Sequence, residues 1–127
     1  MAFDYRGGTD ADPVVLVGSG RVMMHERVAC IDRMLGDPQL ARDAGVLIDV
    51  RAVENPPSAS EIPAIAALIH QIRARFNGRV ALLSTTAGHV TASYLVAFAA
   101  DAPQHVAAFT SEDSACAWLA EAARQAV

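Results

Sequence analysis

Lysine is absent from the 127 residues, so all ten basic side chains are arginines. Guanidinium forks suit phosphate, but these arginines are dispersed, and in an alanine-rich chain the plain reading is genomic base composition. With net charge -4 at pH 7 the chain lacks the basic excess that nucleic-acid binding requires, and nucleic acid is excluded as an expected partner. There are only two cysteines, Cys30 and Cys116. They lie far apart and form no CxxC pair, which excludes a zinc site or a disulfide framework and leaves each to act as a small buried apolar side chain. Aromatic residues make up 6% of the chain, so the core must come from Val, Ile, Leu, Ala and Met. No apolar run approaches the roughly 18 residues needed to span a bilayer. Met1 to Gly8 lacks the design of a signal peptide. These absences predict a soluble, cytoplasmic chain without a transmembrane segment.

What is present is apolar patterning. At 53% hydrophobic, 127 residues suffice for one domain that folds without disulfides or metals. Ala2–Arg6 alternates weakly; Gly7, Gly8 and the polar stretch Thr9–Asp12 then lead into Val14–Val17, which predicts an antiparallel hairpin. Gly18, Ser19 and Gly20 read as a tight turn. Met24, Val28, Ile31 and Leu35 follow helical spacing up to Gly36, Asp37 and Pro38. Val46–Val50 has the unbroken apolar character of a strand buried on both faces. The next helix carries Ile62, Ile65, Leu68, Ile69, Ile72 and Phe76 and stops at Asn77 and Gly78. Ser58 with Glu61 has capping-box spacing, but Ser60 as the cap keeps Pro63 in the first turn, where a missing N–H is tolerated. A strand at Val80–Leu83, a polar loop, a helix near Val90–Ala100, a strand at Val106–Phe109 and a final helix from Thr110 or Ser111, burying Trp118 and Leu119, complete the chain. This alternation predicts an α/β fold: a mixed, mostly parallel sheet of about five strands flanked by about four helices.

Four segments, GSGRVMMHERVACIDRMLGDPQL, GVLIDVRAV, RVALLST and HVAAFTSEDSACAWLAEA, together resemble the SpoIIAA-like branch of the STAS superfamily. The shared pattern is a Gly-led helix ending in Asp37-Pro38, a strand ending in Asp49-Val50-Arg51, and a closing strand, acidic turn and helix with Ala115, Trp118 and Leu119. The resemblance implies a helix-flanked mixed sheet, as in anti-sigma factor antagonists and the related lipid-binding Sec14-like fold, without an established reaction. In the antagonists an Asp-Ser-Ser-Gly serine after the central strand is phosphorylated. Here the motif is missing and Pro57–Glu61 occupies its region, with Ser58 and Ser60 as candidate phosphorylation sites.

The polar residues trailing the apolar runs, Ser19, Asp49, Arg51, Ser58, Ser60, Ser84, Thr85 and His89, are the candidate ligand- or partner-binding set, expected along the edge formed by the strand C-termini. Ser84, Thr85, Thr86 and His89, between a strand and a helix, form the most ligand-like stretch, where backbone N–H groups and hydroxyls suit an anion; the plainer reading is a solvated loop in which Ser84 or Thr86 caps the helix. Gly18-Ser19-Gly20 is half of a dinucleotide fingerprint, but its third glycine would fall at Met23. A Ser84 nucleophile with His89 as base lacks both a GxSxG elbow and an orienting third group. His25, His70 and His105 show no ligand spacing, so no metal and no cofactor is expected. Met23, Met24 and Met34 read as core or partner contacts, the alternative being an adaptable apolar pocket. The expected function is a non-catalytic regulatory protein-interaction module, with a homodimer as a candidate assembly. Its alternatives are a lipid or small apolar ligand binder with a closed cavity lined by Met, Ile and Phe and, remotely, a Ser/His hydrolase.

Overall fold

The computed structural model of the chain describes residues 3–8, 12–99 and 105–125, with side chains described up to 122. Ala2, the turn residues 9–11 and Ala100 lie outside the described residues. The elements are β1 Phe3–Gly7, β2 Val14–Gly20, α1 Met24–Leu35, β3 Val46–Val53, α2 Glu61–Arg75, β4 Val80–Leu83, α3 His89–Ala99, β5 Val106–Phe109 and α4 Glu112–Gln125. The five strands form one sheet in the order β1-β2-β3-β4-β5. β1 runs antiparallel to β2, and the remaining pairs are parallel, the mixed and mostly parallel sheet that the alternation predicts.

Strand order dictates the layering. The crossovers through α1, α2 and α3 all step the same way across the sheet, and right-handed connections that step the same way lie on the same face. Alternating side chains along each strand confirm this. Val14, Leu16, Val46, Ile48, Val80, Leu82 and Val106 pack with Ile31, Ile69, Ile72 and Leu95 into the larger core. Leu47, Ala81 and Leu83 point the other way, onto Ala115 and Leu119 of α4. Val46–Ile48 is therefore covered on both faces, which explains its unbroken apolar run.

Several local expectations are corrected. β2 and β3 run on to Gly20 and Val53, because Ser19 pairs with Ala52 and Gly20 with Val53 beyond a bulge between Val17 and Ser19. Gly18 is thus a strand residue and not part of a tight turn; a Cβ there would lie 2.8 Å from both the Phe3 ring and the Val53 side chain. Gly20, at φ 66, takes the left-handed backbone that turns the chain toward α1. Cys30 is buried, but Cys116 is exposed, since α4 docks through Ala115 and Leu119 and position 116 turns outward. Trp118 is half-buried, 5.4 Å from the Phe109 ring centroid, with the Arg79 guanidinium 4.7 Å from its own centroid. Among the described residues, no helix is long and apolar enough to cross a membrane.

Candidate functional site

The polar residues behind the strands are divided between the two sides of the sheet and its exposed connections. Asp49 shares the face of Leu47 on the α4 side, and Arg51, at the register shift of β3, lines the opposite cavity yet bonds to Asp49. Arg51 Nη2 donates to Asp49 Oδ2 at 2.8 Å and to Glu112 Oε1 at 2.9 Å, tying β3 to the start of α4. Burial raises the Asp49 pKa, but the hydrogen bonds from the Arg51 side chain and backbone outweigh it and hold the carboxyl below the usual aspartate range. Ser84, one residue beyond β4, is buried on the opposite side, under α1, α2 and α3. Ser58 and Ser60 lie exposed before α2, and Ser19 lies exposed on β2.

On the three-helix side the structure holds a partly enclosed cavity of about 340 Å³, at the lower end of the size range of small-molecule sites. Its floor is Leu16, Ile48 and Leu82 of the sheet. Ile65, Leu68 and Ile69 of α2 and Leu95 of α3 form its walls, and the small residues Ala87, Gly88 and Ala92 leave the space open. Pro56 and Pro57 stand at its rim beside Asn55, whose amide both accepts from and donates to the Val22 backbone at 2.8 Å, fixing the β3–α2 loop against the start of α1. Of the predicted site residues, Arg51, Ser84 and Thr85 line this cavity; Ser19, Asp49, Ser58, Ser60 and His89 do not. Among the described residues no methionine lines it either: Met34 is packed in the core, whereas Met23 is 46% exposed.

The polar loop after β4 serves the backbone. The Ser84 N–H continues the sheet to the Phe109 carbonyl at 3.0 Å, and Ser84 Oγ donates to the Thr85 carbonyl at 3.2 Å. Thr85 Oγ1, rather than the hydroxyl of Ser84 or Thr86, accepts from a backbone N–H at the start of α3, that of Gly88 at 3.1 Å. His89 Nδ1 is buried without a hydrogen-bond partner, so no hydrogen bond joins it to Ser84. Before α2, Ser60 stands at the N-cap, as the Pro63 argument requires, but makes no side-chain cap. Glu61 Oε1 instead accepts from the Ser58 N–H at 2.9 Å and from Ser58 Oγ at 3.0 Å. These bonds hold the Glu61 carboxyl below its ordinary range.

The residue that sequence reasoning missed is Arg27. It is 6% exposed, lines the cavity, and has a buried Nη1 with no hydrogen-bond partner. Among the described residues it forms no ion pair. Burial pulls its guanidinium below the ordinary arginine range, opposed by the charges of Glu61 and Glu26. Both of those carboxylates are engaged elsewhere, Glu61 at Ser58 and Glu26 at the Met23 N–H, 2.9 Å away. The signal was present in the sequence: Arg27 precedes Cys30 and Ile31 by one helical turn and Met34 by two, and α1 buries all four. Comparison with protein-family models, curated proteins and solved structures gives no match for this chain.

Proposed function

We propose that the chain is a cytoplasmic, non-catalytic binding domain of the STAS/SpoIIAA-like kind whose ligand is a small, mainly apolar molecule held between the three-helix layer and the sheet. The carrying observation is the 340 Å³ cavity, whose floor and walls are aliphatic. Close-packed interiors leave few voids larger than a water molecule, and apolar voids stay dry and accept apolar guests. Supporting the family reading is the mixed sheet with helices on both faces. The test is a titration with octan-1-ol followed by amide and methyl NMR. Shifts should concentrate at Ile48, Leu68, Leu82 and Leu95; a uniform or absent response would remove the ligand reading.

A second reading, the protein-interaction module, is favoured by α3. Val90, Tyr94 and Phe98, spaced by four residues, are 65%, 58% and 58% exposed on one stripe, while Ala92, Leu95 and Ala99 fill the core side. A helix apolar on both sides is ordinarily covered on both.

A further inference from the structure

We infer that Arg27 is the anion anchor of the cavity, so that the ligand is a monocarboxylate with an apolar body. The inference rests on the cavity being a ligand site and names the class of its ligand. Buried polar groups in native proteins are hydrogen-bonded with few exceptions, and an unpartnered buried guanidinium is among the costliest. Among the described residues Arg27 Nη1 has no hydrogen-bond partner and Arg27 forms no ion pair, while Oε1 of Glu61 and of Glu26 accepts from the backbone N–H of Ser58 and of Met23. An orphaned donor of this kind in the wall of a mainly apolar cavity is what an acidic ligand head would complete, since a guanidinium matches the two oxygens of a carboxylate in one plane.

Charge selects the head group. Arg51, the other cationic residue of the cavity lining, already has its charge met by Asp49 and Glu112, and Glu54 at the lining adds a negative group. Among the described residues Arg27 is the cationic lining residue without an ion pair, which suits a singly charged head. A dianionic phosphate would leave a charge uncompensated in an apolar enclosure, where it is poorly screened. The alkyl body would lie against Ile48, Ile65, Leu68, Leu82 and Leu95.

Calorimetric titrations of octanoate, octan-1-ol and octyl phosphate into the wild-type chain and Arg27→Met test this. Wild type should bind octanoate at least about tenfold more tightly than octan-1-ol, the effect of a charge-assisted hydrogen bond to a desolvated partner. Arg27→Met should lose the preference for octanoate over octan-1-ol. Its Tm should equal or exceed that of wild type, because an apolar side chain of similar length replaces an unpaired buried charge. A readout independent of any variant is the 13C carboxyl titration of bound octanoate. A midpoint below that of free octanoate supports the pairing; a raised midpoint means an unpartnered head in apolar surroundings and overturns it. Equal wild-type affinities for octanoate and octan-1-ol would refute the anchor while leaving the cavity as a ligand site. Tighter binding of octyl phosphate would refute the carboxylate, and binding of none of the three would dismiss both the cavity reading and the anchor.

Discussion

Asp49 and Arg51 stand two apart on β3, and the Arg51 guanidinium joins the Asp49 carboxylate to Glu112 at the start of α4. The Asp49 carboxylate, which is 15% exposed, and the Arg51 guanidinium close a chain of ion pairs to Glu112. Because the folded state holds the Asp49 pKa down, this group's contribution to stability is complete above the ordinary aspartate value of 3.8 and is lost as pH falls through the depressed folded value. Thermal melts across the acid range should therefore show a shallower acid limb for Asp49→Asn than for wild type, alongside a lower Tm near neutral pH. Superimposable acid limbs would mean that the pair contributes nothing to folding. The spacing of these two residues was legible from the sequence as a strand-end pair. Which face of the sheet they occupied was not, because a strand's two faces are distinguished only by what packs on them.

At the scale of elements, α2 carries the clearest contrast between packed core and cavity wall. Ile69 and Ile72 lie on one helix, are 1% and 0% exposed, and differ in that Ile69 lines the cavity whereas Ile72 does not. Truncating a fully packed isoleucine to alanine costs about 2–5 kcal/mol, and the loss grows with the void left behind. At a wall already facing empty space fewer contacts are lost. Ile72→Ala should consequently fall in the upper part of that range in urea unfolding, with Ile69→Ala nearer the bottom; the reverse order would mean that the cavity is filled in the unliganded protein. The helical period of α2 was readable in advance from Ile62 to Phe76. For α1 the expected stripe of Met24, Val28, Ile31 and Leu35 packs in or against the core, but the most deeply buried residues are Arg27, Cys30, Ile31 and Met34. A hydrophobic-pattern argument sets an arginine on the solvent side by default, and that default hid the polar group most relevant to the site.

For the molecule as a whole, strand order sets where a ligand can go. Binding crevices in open α/β sheets form where the strand order reverses, and β2-β3-β4-β5 never reverses. The cavity lies beneath the helices and takes Arg51, Ser84 and Thr85 from the strand C-terminal ends. Among the described residues nothing covers the Val90, Tyr94 and Phe98 face of α3. If the Val90, Tyr94 and Phe98 stripe is an interface, a second copy of the chain is the simplest occupant, since two-fold pairing of identical patches is the commonest assembly of soluble proteins. Sedimentation equilibrium should then give a dimer at micromolar concentration for wild type and a monomer for Tyr94→Arg, with the octan-1-ol response intact in both. A wild-type monomer would withdraw the self-association reading and leave the cavity as the functional element.

The amino-acid pattern alone determined the number, type and order of the elements and their mostly parallel pairing, because helical and strand periods are local properties and right-handed crossovers admit few arrangements. Tertiary structure alone decided that Asp49 and Ser84 face opposite ways, that Ala87, Gly88 and Ala92 leave a cavity open, and that Arg27 lines it unpaired. Those outcomes depend on separations between residues far apart in the chain, which no periodicity records.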